Sequence, residues 1–195
     1  DASDPAGKKQ ELAHQMALMS KALKRDMEVA LCQNTAKNAG NATTARQTRS
    51  FEAWITTNKS RGTGGADGSA SAAATDAATG NRRALTEALL KGVLQSMFTN
   101  GAEPKMAIAG PVNKGVISGF TGRANTRQNV SADTVSASIS VYASDFGELQ
   151  IVPSNRSRDR SLLLVDPEYA KVAYLRNFQT MDIAKIGDAD TKMIL

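Results

Sequence analysis

Leu12, Met16, Met19, Leu23, Met27 and Leu31 recur at spacings of 4, 3, 4, 4 and 4, which places six apolar side chains on one face of a single helix. Lys8, Lys21, Lys24, Arg25 and Glu28 fall on the opposite face. Asp4-Pro5 supplies an N-cap and a proline for the first turn. A helix from Lys8 to Gln33 is about 39 Å long. That is long for a domain of this size, and its one narrow stripe predicts packing across a sheet or against a neighbour. The stripe's three methionines are expected in a core, and Cys32, late in the pattern, is expected as a buried small hydrophobe. His14 has no His, Cys or carboxylate at ligand spacing, Glu11 lying only one turn away, so it is not read as a metal ligand.

Composition narrows the remainder. The chain of 195 residues has 41% hydrophobic and 22% charged residues, ordinary for a soluble globular protein. Only 5% are aromatic, so the core must come from Ala, Val, Leu, Ile and Met. No apolar run approaches the roughly 20 residues of a membrane helix, and no signal-peptide pattern opens the chain. A single cysteine allows no internal disulfide, in keeping with a reducing compartment, which leaves the sequon at Asn41 without meaning. The net charge of +5 is localised: Lys37, Arg46, Arg49, Lys59 and Arg61 stand against Glu52 alone. A mild positive balance favours contact with nucleic acid, but stacking aromatics are sparse, and a solvated face is the simpler reading. With no initiator Met, and with Lys192–Leu195 reading as a strand that stops mid-stride, both ends read as cut.

Further along, Asn34–Asn41 reads as a polar loop, and Thr43 and Thr44 offer caps for a short helix ending at Phe51–Ile55, with Trp54 as a core anchor. Ser60–Gly80 holds no large apolar side chain and is expected to be a long flexible loop. Its Gly62, Gly64, Gly65 and Gly68 resemble a phosphate cradle only superficially, because no strand precedes them, no helix directly follows, and Gly-Lys-Ser/Thr is absent. Arg82–Thr99 is a second helix with Leu85, Leu89, Val93, Leu94, Met97 and Phe98 on one side, stopped by Asn100-Gly101. Met106–Ala109 is a buried strand, and Pro111 opens a short helix through Val112, Val116 and Ile117 towards Phe120. Gly122–Ser131 is another polar loop. Val135, Ala137, Ile139, Val141 and Ala143 alternate as a half-buried strand. Asp145-Phe146-Gly147 then turns into Glu148–Val152, a hairpin ended by Pro153. Arg156, Arg158 and Arg160 lead to a buried strand at Leu162–Val165; Asp166-Pro167 breaks it, and Glu168–Leu175 reads as a short helix or a strand.

No constellation for chemistry emerges. The chain has one His and one Cys, no nucleophile elbow, and scattered carboxylates such as Asp145 and Glu148 without a defensible catalytic pairing. No catalytic, cofactor-binding or metal residue is assigned, no cofactor is expected, and the chain is read as structural.

The run VYASDFGELQIVPSNRSRDRSLLLVDPEYAKVAYLRNF, residues 141–178, resembles the major capsid proteins of a tailed-bacteriophage family. Three more blocks agree in the same order: GKKQELAHQMALMSKALKRDMEVAL, TARQTRSFEAWITTNKSRG and ALTEALLKGVLQSMFTNGAEPKMAIAGPVNKGVISGF. The resemblance implies an α+β Hong Kong 97 type capsid fold, with a long spine helix, a peripheral domain and an axial domain built on a central sheet. It divides the chain into residues 1–60 (spine helix and part of the peripheral domain), 61–167 (axial domain, with the flexible loop at 60–80) and 168–195 (return to the periphery). Members also carry an N-terminal arm and an extended loop ahead of the spine, and this chain is read as lacking both. The function implied is a head protein that self-assembles through hexameric and pentameric capsomers into an icosahedral shell around phage DNA. Scaffold, portal or cementing proteins and non-specific contact with packaged DNA are the further partners, without a membrane. Assembly is expected in the host cytoplasm and residence in the virion. Arg156, Arg158 and Arg160 are read as contacts to adjacent subunits or DNA, or as solvated loop charges. The alternatives are a shell protein of a bacterial nanocompartment with the same fold, a nucleic-acid-binding module using 37–61, and an enzyme using the glycine loop.

Overall fold

In the computed structural model, residues 11–120, 140–175, 177–184 and 192–194 are described. The periodic stripe does form a helix, α1, Glu11–Cys32; its expected start at Asp4-Pro5 lies outside the described residues. Contacts divide the chain into one unit of Asp1–Met27 with Lys171–Leu195, and another of Glu28–Ala170.

In the first unit, strands β5 (Thr180–Asp182) and β6 (Lys192–Ile194) pair antiparallel, Met181 opposite Met193. The terminal strand expected from Lys192 therefore forms, and Lys192 Nζ lies 3.1 Å from Asp182 Oδ1 across the ladder. Glu168–Leu175 is neither helix nor strand beyond a turn at 167–169. None of the six stripe residues of α1 is buried, and Met19 is 59% exposed. The expected core for these methionines is not supplied by the described residues; only Cys32, at the helix end, is buried.

The second unit holds the sheet. After α2 (Phe51–Trp54) come α3 (Glu87–Thr99), β1 (Met106–Ala109), α4 (Pro111–Ser118), β2 (Val141–Ser144), β3 (Gly147–Pro153) and β4 (Leu162–Val165). The sheet order is β2-β3-β1-β4. β1 runs parallel to β3 and antiparallel to β4, and β2 with β3 is the expected hairpin. Ala107 and Ala109 of β1, Leu149 and Ile151 of β3, and Tyr142 of β2 form one core with Leu90 and Leu94 of α3 and Ile117 of α4. Two fully buried alanines at the sheet centre supply the small side chains that an aromatic-poor core requires.

Three sequence expectations shift here. The inward residue of β2 is Tyr142, while Val141 is 50% exposed and Ala143 is exposed too. The pairing of Tyr142 with Leu149 puts the opposite parity inside; residues 135–139 lie outside the described residues, as does the 122–131 loop. α3 starts at Glu87, five residues later than expected, where the Thr86 hydroxyl caps Leu89 N. Its deepest residues are Leu90 and Leu94, whereas Leu85, Leu89, Val93 and Met97 are half-buried. The helix stop is as expected: Gly101 takes φ +81°, and Ala102 N bonds back to Met97 O at 3.0 Å. β4 is an edge strand in which only Leu163 is buried, rather than buried throughout.

The 41–50 segment is not helical. Asn38 pairs with Gln47 as a bridge, and the Asn41 carboxamide accepts from Thr43 N and Thr44 N at 2.9 and 2.7 Å, an asparagine-capped turn that wins over the helix. Trp54 is 63% exposed; the buried members here are Ser50, Glu52 and Ala53, and Arg49 stacks on the Trp54 ring at 4.7 Å.

Ser60–Gly80 has no extended strand, but Ala66 pairs with Thr75, Ala74 is buried, and Gly68 lies against the backbone of Ala53. An alanine at 68 would put its Cβ 2.5 Å from Ala53 O and 2.9 Å from Ala53 Cα. Gly68→Ala is expected to cost about 1–3 kcal/mol, seen as a lower urea midpoint. Gly80→Ala, with nothing within 4 Å of the new Cβ, should stay within about 0.5 kcal/mol of the parent.

Candidate functional site

α2 is too short to be stable by itself and is held by its neighbours. Ser50 Oγ accepts from Thr35 N at 2.9 Å and donates to Thr35 O at 3.2 Å, fixing the helix start. This aims Glu52 inward, where its side chain is 9% exposed. Glu52 Oε2 accepts from Arg158 Nη1 at 2.8 Å and from Ser161 Oγ at 2.6 Å, and Oε1 faces Arg61 Nη1 at 3.8 Å.

From Arg158 the network continues into the glycine loop. Its Nη2 donates to both oxygens of Asp76, at 2.8 and 2.6 Å, and Arg160 Nη1 reaches Asp76 Oδ2 at 3.2 Å. Arg61 Nε donates to Asp67 Oδ1 at 3.1 Å, and Lys59 Nζ also bonds Asp67. The Asn34 carboxamide pairs with the Ala74 backbone in both directions, at 2.5 and 2.9 Å. Loop, α2 and the 156–161 connection are thereby fastened by polar groups where large side chains are missing.

The expected contact or solvated role of the arginine connection is corrected for Arg158. Arg158 has a side chain only 15% exposed and is committed to Glu52 and Asp76, and Arg160 is paired with Asp76. In the basic 37–61 segment, Lys59 and Arg61 are likewise paired within the chain. The glycine loop is closely packed where a phosphate would have to enter: a Cβ at Gly62 would meet Ala77 Cβ at 2.7 Å.

Charge governs the titration of this cluster. The Arg158 guanidinium bonded to Asp76, and Arg160 less strongly, hold its carboxyl below the ordinary 3.8 against an opposing push from burial. Lys59, then Arg61, do the same for Asp67. A depressed carboxylate stabilises the fold fully above the unfolded value, and that contribution is lost as pH falls through the folded value. Stability is therefore expected to fall as pH drops below 3.8, and Asp76→Asn should shallow that acid limb in urea titrations. At the other end of the unit, Tyr142 hydroxyl donates to Glu87 Oε1 at 3.0 Å. Burial, then the Glu87 bond, push the phenol up to about 12, so it remains a donor that ties β2 to the first turn of α3.

Beside the network lies a cleft of about 700 Å³, lined by the 54–62 segment, α3, α4 and β4. Apolar surface is left open elsewhere too: Tyr169 is 77% exposed and Leu175 96%. Single exposed apolar residues are normal; the half-exposed stripe along α1 and the partly apolar cleft are larger apolar surfaces. Among the described residues no group of His, Cys, Asp and Glu could hold a metal ion, and His14 is an exposed residue of α1.

The family model for the SU10 major capsid protein matches residues 1–195. The chain belongs to the SU10 major capsid protein family. It is accordingly a structural subunit of a phage capsid, α+β in class, which assembles with its own kind and resides in the virion. No curated protein matches the chain. Sequence reading missed Glu52, Asp76, Ser161 and Asn34 as a group. Apart from Arg61 beside Glu52, their partners lie 40 to 109 residues away, and the sole local signal was Glu52 as the lone acid in a basic segment.

Proposed function

We propose that this capsid subunit has the Hong Kong 97 type fold, with α1 as its spine helix. Residues 61–167 form the axial domain, and 168–195 return to a peripheral domain that also contains the start of the chain. The observation that carries the reading is the half-exposed apolar stripe on α1, a helix of 22 residues or about 33 Å, which a neighbouring subunit would cover. Further support comes from the grouping of Lys171–Leu195 with Asp1–Met27; on that grouping the peripheral part of 1–60 narrows to its first 27 residues. Hexameric and pentameric capsomers build an icosahedral shell around phage DNA in the host cytoplasm. Scaffold, portal and cementing proteins are its other partners, and contact with packaged DNA is non-specific.

Negative-stain microscopy of the full-length protein, produced in bacteria, tests the proposal. Closed shells with six- and five-fold capsomers are expected, and open filaments or strictly monomeric protein under assembly conditions would overturn it. Shells filled with a cargo enzyme in place of DNA would favour the nanocompartment reading. Pairing of Arg61, Arg158 and Arg160 inside the chain weighs against a dedicated nucleic-acid-binding module, for which a gel shift with steep salt dependence is the test.

A further inference from the structure

We propose that the cleft beside α3 and α4 receives the Asp166–Ala170 turn of a second copy of this chain. The apolar part of the cleft's lining includes Leu85, Leu89, Val93, Met97, Val112 and Val116, and Arg82 and Arg83 line it too. Among the described residues neither arginine has a carboxylate partner; Arg83 Nη2 is bonded to Ser60 Oγ at 2.6 Å and Arg61 O at 3.1 Å. The neighbouring cations Lys59, Arg61, Arg158 and Arg160 are all matched by Glu52, Asp67 and Asp76. Of the charged residues that line the cleft, Arg82, Arg83 and Asp159 have no ionic partner among the described residues, which leaves a net positive charge beside its apolar side chains.

The turn is the complement of that surface. Asp166 and Glu168 have no basic partner among the described residues, and Tyr169 between them and Ala170 is 77% exposed. The loop is already fixed: Glu168 N donates to Asp166 Oδ1 at 2.9 Å, and Tyr169 N and Ala170 N donate to Asp166 O at 3.2 and 3.0 Å. Pro167 restricts it further. A preorganised turn with an aromatic anchor loses little freedom on docking. The ring takes the apolar floor, and the two carboxylates meet Arg82 and Arg83. Cleft and turn are different patches, so the contact is heterologous. It repeats head to tail and closes into a ring when the rotation allows. The contact rests on the capsomer reading given above and names the surfaces that make the capsomer.

Two experiments on the full-length protein test it. Tyr169→Cys combined with Val112→Cys, in a chain whose one native cysteine is buried, is expected to give a ladder of disulfide-linked oligomers on oxidation, and neither single variant should. Arg82→Glu with Arg83→Glu, and Asp166→Arg with Glu168→Arg, should each raise the concentration needed for assembly at least ~10-fold, whereas all four together should restore it to within ~3-fold. Rescue by the combined variant separates lost contact from lost folding. Assembled particles without the cross-link, a link confined to one chain, or absence of rescue would overturn this contact and leave the capsomer reading standing. Wild-type protein that never passes beyond the monomer would overturn both.

Discussion

Arg158→Ala is expected to lower the unfolding free energy by about 3 kcal/mol. The substitution leaves Glu52, with a side chain 9% exposed, facing only Ser161 at 2.6 Å and the more distant Arg61. It also leaves Asp76 with Arg160 alone, at 3.2 Å, which weakens the grip on the glycine loop. The loss is larger than for an exposed pair because the stranded carboxylate stays desolvated, whereas surface pairs contribute about 1 kcal/mol or less. Replacing both partners, Glu52→Gln with Arg158→Met, should cost less than the sum of the single changes. Urea unfolding of the parent, Arg158→Ala, the two single changes and the double variant measures this; a loss below about 1 kcal/mol for Arg158→Ala would mean that water reaches Glu52 and that the cluster is no fastening. Arg160→Ala, at a side chain 55% exposed, serves as the weak control.

Leu149→Ala should cost a similar amount, about 3 kcal/mol, for a different reason. Leu149 is 1% exposed in the middle of β3, opposite Tyr142, and belongs to the core that α3 and α4 cover. Removing its methyl groups leaves a void that the small alanines of β1 cannot fill. Leu149→Met keeps the volume and should lose under about 1.5 kcal/mol. Equal thermal midpoints for the parent and Leu149→Ala would show that the sheet and its helices are not one cooperative core.

What was legible in the sequence follows from range. The α1 stripe, the Asn100-Gly101 stop, the Ala-rich strand at 106–109, the Pro111 helix start and the Asp145-Phe146-Gly147 hairpin all rest on neighbours within a few positions. Those elements stand where they were expected. Which face of an element is buried depends on its partner, so Tyr142 replaced Val141 inside, and Leu90 emerged as a core residue. Trp54 was misjudged because its size argued for burial, while the chain used Ser50 and Ala53 to bring α2 close to Thr35 and Gly68. The fastening at Glu52 joins residues 82 to 109 positions apart, and no local pattern announces such a partnership. The capsid role was legible only through the ordered blocks of the family resemblance, since shape complementarity leaves no catalytic signature.

The half-exposed stripe of α1 makes the stability of this protein depend on how much of it is present. Any neighbour that covers Leu12, Met16, Met19 and Leu23 binds the folded chain and not the unfolded one. Such a ligand adds about 2.7 kcal/mol to folding when it is present at a hundred times its dissociation constant. A dilute subunit and the same subunit in a wall are then two different materials, the second hardened by its own crowd.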